Sequence, residues 1–407
     1  MYKFYIIYLI ALTLIISGCS SSPKIDGAVE PVDMIWQEIE EAASGETVTM
    51  MMWMGDPLIN RYMSDYVVQK VKEQYGITLE IVNGQGTQIV STLMSELESG
   101  RSASQIDMMW INGETFYQLR QIDGLYGPFT QKLPNMEFVD LDNPFIGVDF
   151  QQPVDGYEAP WGNVQFTLIY DPDDVENPPQ DFSEFQQWVN QNPGKFTIPT
   201  DFSGVTLLKS WMISMADDPG LFYGEFNEEI YSEYSGKLWE NINSMKPDFW
   251  RGGETFPNSV AQLHQLFANG ELAFTMSNND SEVDNKVMQG IFQDDSRGYV
   301  PESGTIQNSH FLGIARLSDN KAGAMTTINF MISPDAQFQK MQPEVWGDGT
   351  VLSIDKLPDS WKQRFQDMPG RIRAPDRESI TDRALMEPAP EYMIRLFEDF
   401  RTFVVNQ

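Results

Sequence analysis

Four short segments of the chain combine the residue types that hold small polar molecules. They are Trp53-Met54-Gly55-Asp56, with Asn60 a turn further on; Asn83-Gly84-Gln85-Gly86-Thr87; Trp110-Ile111-Asn112-Gly113-Glu114; and Ser277-Asn278-Asn279-Asp280. Side-chain amides donate and accept hydrogen bonds, carboxylates accept them, and Gly lets the backbone approach a ligand closely. Trp53, Trp110 and Trp161 add flat apolar walls that also attract cations. Each of these residues has an ordinary use in turns, caps or cores as well. The recurrence of one pattern at several strand ends is what points to a binding cleft.

Signatures of catalysis are missing. The chain has no HExxH, no GxSxG and no phosphate-binding loop. Gly84-Gln85-Gly86 starts like a dinucleotide fingerprint, but Ile89 stands where the third Gly belongs. His264 falls among Leu263, Leu266 and Phe267, which suits packing. The acidic run from Asp171 to Glu176 lacks the Gly and terminal Glu of a calcium loop, and the pair Asp294 and Asp295 reads as a solvated loop. No metal, cofactor or catalytic residue is therefore expected. Two other readings stay open. One is an extracytoplasmic hydrolase using two carboxylates, with Glu114 and Asp280 as first candidates; the other is a ligand-sensing partner of a membrane receptor.

The elements that position these segments alternate between strand and helix. Thr47 to Trp53 reads as a strand, and Asp56-Pro57 as the cap and first residue of a helix that runs to Tyr75 and stops at Gly76. A strand at 77–82, a helix at 87–99 ending at Gly100 and a strand at 106–111 complete a βαβαβ pattern, which predicts a mainly parallel sheet covered by helices. An irregular stretch from Asp123 to Trp161 follows. A second α/β region opens with a strand at 164–170 and a helix capped by Ser183 with Gln186. Later come a helix at 257–268, a strand at 271–276, a return strand near 311–314, and helices at 319–332 and 335–341. The last sixty or so residues read as helical, broken by Pro.

The ends and the charge bound the location. An apolar run from Phe4 to Ile16 has about the length of a signal-peptide core and is too short to span a bilayer. It ends in Ile16-Ser17-Gly18-Cys19, like a lipobox, in which Cys19 accepts a diacylglycerol. Cys19 is the only cysteine in the chain, so neither a disulfide nor a Cys-based metal site is available. Residues 20–45 read as a tether holding one short helix around Ile35, Ile39 and Ala42. A net charge of -32 argues against nucleic acid and anionic lipid surfaces as partners.

Several stretches resemble extracellular solute-binding proteins of ABC importers. Phe330-Met331-Ile332-Ser333-Pro334-Asp335-Ala336-Gln337 and Gly270-Glu271-Leu272-Ala273-Phe274-Thr275-Met276 are similar to segments common in that family. Ile106 to Glu114, Glu158-Ala159-Pro160-Trp161-Gly162 and Val345 to Leu352 are similar to the YnjB-type binding lipoproteins, from about Thr47 to the C-terminus. The resemblance implies an α/β, two-lobed type II periplasmic-binding-protein fold with hinge crossings and a ligand cleft between the lobes. It places the crossings near 160–165 and 309–313. Lobe one would hold 46–160 and 310–345, lobe two 161–309, and 346–407 would be a helical segment packing on both. Trp161 and Gln165 would line the hinge, Asn278, Asn279 and Asp280 would reach across from lobe two, and Trp346 and Asp348 join on the family motif. Trp161→Ala is then expected to weaken binding by more than about tenfold, ~1.4 kcal/mol, with the fold intact. The implied partners are a small-molecule ligand, an ABC permease with its ATPase, and the membrane through the lipid on Cys19. A periplasmic or cell-surface monomer is expected.

Overall fold

The apolar run at the start of the body supplies strand β1 (Thr47–Met52), whose Val48, Met50 and Met52 are fully buried. The structure, a computed structural model, describes residues 29–407; the leader and Cys19 lie outside the described residues. Strand β2 (Thr78–Asn83) and β3 (Met108–Ile111) run parallel to β1, with Met50 beside Ile81 and beside Met108. The connection from β1 to β2 is helical from Pro57 to Tyr75, widened to a π-helical stretch at Tyr62–Val67. Asp56 caps it by accepting from the N–H groups of Leu58 and Ile59, and Gly76 ends it at φ 75°, a conformation that favours Gly. Helix Gly86–Glu98 connects β2 to β3.

Eight more strands follow among the described residues. A two-residue hairpin pairs β4 (Val148–Asp149) with β5 (Gln152–Pro153). Strand β6 (Glu158–Gln165) passes through Phe166 into β7 (Thr167–Tyr170). Strand β7 is the middle of a three-stranded antiparallel sheet with β8 (Phe274–Ser277) and β9 (Arg297–Tyr299). Strand β10 (Thr305–Ile314) returns antiparallel to both β6 and β3, with a bulge at His310 and Phe311. Strand β11 (Ala384–Met386) adds in parallel beside the start of β10. The long pair β6 and β10 therefore joins the six-stranded sheet to the three-stranded one.

Each sheet has its own apolar core. Met50, Tyr62, Val71, Leu312 and Ile328 belong to the first. Phe196, Leu208, Tyr231, Leu238, Phe274 and Leu396 belong to the second. Helix Phe202–Ser214 is buried from Ser203 through Ile213 in the second core.

Three expectations change. The proposed tether is part of the fold, because helix Trp36–Ala43 buries Ile39 and Ala43 completely and packs on helix Lys321–Met331. The C-terminal stretch contributes strand β11 as well as helices, since Leu385 finds a buried place beside β10. The helix expected to be capped by Ser183 starts at Phe182 instead; Asp181 accepts from the Glu184 N–H at 2.8 Å and so takes the cap.

Candidate functional site

The loop after β1 and the helix after β8 meet between the two sheets. Asp56 Oδ1 caps its own helix, leaving Oδ2 to accept from Lys286 Nζ at 2.7 Å. Lys286 lies on helix Glu282–Met288 and also pairs with Glu282 at 3.0 Å. Burial works against the Lys286 charge, but Glu282 and Asp56 overcome it and raise its pKa. The loop 346–349 is held from the same side. The Trp346 carbonyl accepts from Asn279 Nδ2 at 3.2 Å and from Asn285 Nδ2 at 2.5 Å. Asn278 instead donates to Ser203 Oγ at 2.8 Å, at the head of helix Phe202–Ser214. Asp280 accepts from Arg371 at 2.7 Å and Arg377 at 2.9 Å. Burial pushes the Asp280 carboxyl up, and the two guanidinium groups more than reverse this, holding it at about 2.

Trp161 sits in a closed knot of rings and charges. Its indole meets Trp110, Trp346 and His310 with centroids 5.3, 5.2 and 5.4 Å away. Lys340 Nζ donates to the Trp161 and Gly349 carbonyls at 2.8 Å and to Asp348. Asp348 lies 3.1 Å from His310 Nε2. Burial pulls Lys340 down to about 8 against the attraction of Asp348. For Asp348, burial acts upward, but His310 and Lys340 together carry it below the usual carboxylate range. Gly162 is needed beside them, because a Cβ there would run into Asp348 and His310. Trp161 has 0% of its surface exposed, so it packs the interior and does not line an open cleft. Trp346 and Asp348 belong to the same interior knot.

A second cluster is built to another rule. Glu114 lies in the first turn of helix Gly113–Gln121, Asp149 at the tip of β4, Glu158 at the start of β6, and Glu387 just after β11. Asp149 is 2% exposed and Glu158 0%. Glu387 receives Lys209 Nζ at 2.5 Å and Asn308 Nδ2 at 2.7 Å. Lys209 also lies 4.5 Å from the Phe150 ring. Asp149 and Glu158 meet as an acid pair in which the protonated carboxyl donates to the other, and Glu114 Oε2 has no hydrogen-bond donor among the described residues. Burial raises the pKa of Glu114, Asp149 and Glu158, and the neighbouring acids add to it. A small opening beside this cluster is lined by Asp149 and Glu387 with Phe145, Gln151 and Asn308; Glu114 and Glu158 are not among its lining residues.

The hairpin that carries Asp149 is strained. Phe150 and Gln151 form its turn with φ of 44° and 62°, where Gly or Asn is the usual choice. Contacts hold it there. Phe150 is buried against Gly113, where a Cβ would strike its ring, and Gln151 reaches Glu387 O at 2.6 Å and the Gly224 N–H at 3.0 Å.

The remaining sequence candidates disperse. Gln85 is exposed and Asn112 half-buried; each heads a helix without capping it through its side chain. Trp53 is half-buried against the first core and its ring covers Gly55. Asn60 lines a different, apolar cavity with Met52, Met54, Met63 and Ile81. Gln165 is buried and spends its amide on the Arg383 carbonyl at 3.1 Å, a structural bond where a ligand contact was expected. The structure thus brings together Asn279, Asp280, Trp346 and Asp348 around one loop, and Glu114 with three acids the sequence reading had not singled out. His264 is buried and meets the Met276 carbonyl at 3.1 Å, a packing role. Asp171, Asp173 and Asp295 place oxygens within 4.8 Å of one another, but Asp173 and Asp295 are exposed.

This two-sheet α/β architecture, joined by a pair of crossing strands, is that of the two-lobed periplasmic binding proteins, and the chain belongs to the bacterial extracellular solute-binding protein family, whose pattern matches residues 66–364. It is 34% identical over 335 residues to Protein YnjB of Escherichia coli (strain K12), covering 81% of this chain and 86% of that one. Among solved structures it resembles the Tp0655 (TpPotD) lipoprotein of Treponema pallidum, with a TM-score of 0.63 at 12% identity, over 89% of this chain and 100% of that one. It also resembles the spermidine/putrescine ABC transporter substrate-binding protein PotD from Streptococcus pneumoniae, with a TM-score of 0.61 at 14% identity, over 88% and 99%. Among the described residues, no helix is long and apolar enough to cross a membrane.

Proposed function

We propose that the protein is the extracytoplasmic receptor of an ABC importer, capturing a small molecule between its two halves and passing it to the permease and ATPase. The observation that carries this is the pair of crossing strands, β6 and β10, between two separately cored sheets. A fold joined this way can open and close about the crossings, and a ligand favours closure by its differential affinity for the closed state. Residues 36–160 with 310–345 make one lobe in this reading, 161–309 the other, and 346–407 span both. The Lys286–Asp56 pair is a contact of the closed state. Asp280 is held ionised and so is no general acid, and both of its oxygens are engaged by Arg371 and Arg377; a binder fits this site better than a hydrolase.

In the same reading, a diacylglycerol on Cys19 anchors the mature monomer at the membrane or cell surface, as two acyl chains suffice to do. The likeness to a lipoprotein of the same architecture supports this. Cys19→Ala is expected to move the protein from the membrane fraction to the soluble one.

The test of the binding reading is a thermal-shift screen of the body from Pro23 onward against cations, sugars, amino acids and vitamins. A ligand at about a hundred times its dissociation constant adds roughly 2.7 kcal/mol. A hit recovered chemically unchanged supports the reading. A hit that is turned over overturns it.

A further inference from the structure

We propose that a cavity inside the first lobe is a binding site for a small neutral aromatic molecule, separate from any solute held between the two halves.

The cavity measures about 220 Å³ and lies between strands β1 and β2 and the helical connection from Pro57 to Tyr75. Met52 reaches it from β1, and Leu79 and Ile81, two residues apart on β2, share the face that lines it. Met63 and Val68 close the helical side. Every wall residue falls within 52–81, so the space belongs to one lobe alone. Strand β2 is the outermost strand of its sheet, which puts the cavity at the sheet margin. Met54 and Ser64, both exposed, mark its mouth.

Close packing does not leave such a space by default. Voids larger than a water molecule are few in protein interiors. Methionine is the flexible residue that fills irregular gaps, yet Met52, Met54 and Met63 surround this one without closing it. The helix backs it with the π-helical stretch Tyr62–Val67, which supplies Met63 and Ser64. Widened turns of this kind are rare and recur at functional sites.

The wall selects against charge and polarity. No charged side chain lines it. Its two polar side chains are engaged elsewhere or hidden: Ser64 Oγ donates to Asp65 Oδ1 at 2.7 Å, Asn60 Nδ2 donates to the Met54 carbonyl at 3.0 Å, and Asn60 Oδ1 is screened from solvent. An ion or a sugar entering here would give up water and gain no hydrogen bond. A neutral apolar group has no such loss. An engineered apolar cavity of about 150 Å³ holds benzene, so this one has room for a ring with a short substituent. Thioether sulfur packs favourably at ring edges, and three thioethers around one space favour an aromatic ring over an aliphatic one.

The test is a titration of the full body, labelled with carbon-13 at the methionine methyl groups, with toluene, methylcyclohexane, benzoate and benzylammonium, followed by NMR. Single Met→Leu substitutions at 52, 54 and 63 assign the wall signals; Met276 and Met393, in the other core, serve as references. Toluene is expected to shift the three wall signals saturably and leave the references in place. Methylcyclohexane should bind more weakly, by about two- to tenfold, and the two charged analogues should leave the wall signals unmoved. Val68→Phe, which fills the cavity, is expected to weaken toluene binding by at least about tenfold. If that variant does not fold, Ser64→Trp at the exposed mouth takes its place with the same expectation. No shift with toluene, equal shifts at the references, equal binding of a charged analogue, methylcyclohexane binding as well as toluene, or unchanged affinity in the folded filling variant would each overturn the proposal. None of these outcomes bears on capture of a solute between the halves, which the thermal-shift screen of the Val68→Phe or Ser64→Trp protein reads separately.

Discussion

The cluster around Lys340 and the cluster around Asp149 both touch β6 and β10, through Trp161 and His310 in the first and Glu158 and Asn308 in the second, yet they settle their charges differently. At the first, Lys340, Asp348 and His310 close on one another, and two backbone carbonyls complete the Lys340 shell. At the second, Glu387 takes the ammonium of Lys209, Asp149 and Glu158 pair with each other, and Glu114 Oε2 is left without a donor among the described residues. Both clusters keep a buried polar atom without a partner among the described residues, Trp161 Nε1 in the first and Glu114 Oε2 in the second; the difference is that Lys340 neutralises Asp348 in the first, while acids outnumber their cations in the second. Native structures tolerate strain and unsatisfied charge chiefly where they are used. The strained turn at Phe150 and Gln151 lies in the second region.

Breaking the closed cluster should have the largest effect. Asp348→Ala strands a buried Lys340 and is expected to cost about 3–5 kcal/mol, read from urea unfolding. Trp161→Ala, in the same knot, should cost a similar ~3–5 kcal/mol through the cavity it leaves. Any fall in ligand affinity would then follow from the loosened fold.

Asp280→Asn should cost about 2 kcal/mol at neutral pH, the value of a carboxyl held at about 2 from an ordinary 3.8. The sign follows from that depression. The contribution is complete above pH 3.8 and is lost as pH falls toward about 2, so acid unfolding of the variant should be less steep in that window. Smaller still is Lys286→Met, which removes the bridge to Asp56. If closed molecules become the minority, apparent ligand affinity should drop by roughly the lost closed fraction, on the order of a few fold, with little change in the unfolding midpoint.

Much of the fold could be read from the chain. The parallel βαβαβ start was legible because its strands are apolar runs and its helices carry clear stops at Gly76 and Gly100. The role of 36–43 was not, because Ile39 and Ala43 show helical spacing but not the helix they pack on, nearly three hundred residues away. The site was harder. Asn279 and Asp280 were legible as a polar strand end. Asp149 hid in a stretch without periodicity. Glu158 and Lys209 did leave a signal: each is a lone charge in an otherwise apolar buried run, Glu158 before Ala159 and Pro160, and Lys209 between Leu208 and Trp211. A charge in such a place implies a buried partner; for Lys209 it is Glu387, and for Glu158 it is a second acid, Asp149. The surroundings of Trp161 were not legible, since an aromatic at a hinge looks the same in sequence whether or not three other rings surround it.

The contrast between the two clusters is tested most directly by urea unfolding of Glu158→Gln beside the wild type. An acid held by a cation and an acid buried neutral against a second acid predict opposite results. Burial raises the folded pKa of Glu158, so its native form keeps a proton that the unfolded chain releases. Wild-type stability should therefore fall as pH rises from the ordinary carboxylate range through that raised value, and the variant should lose this slope. At pH 7 the account predicts that Glu158→Gln is as stable as the wild type or more stable by about 1 kcal/mol. A loss of about 3 kcal/mol or more, the scale expected for Asp348, would contradict it and make Glu158 a structural residue like those around Lys340.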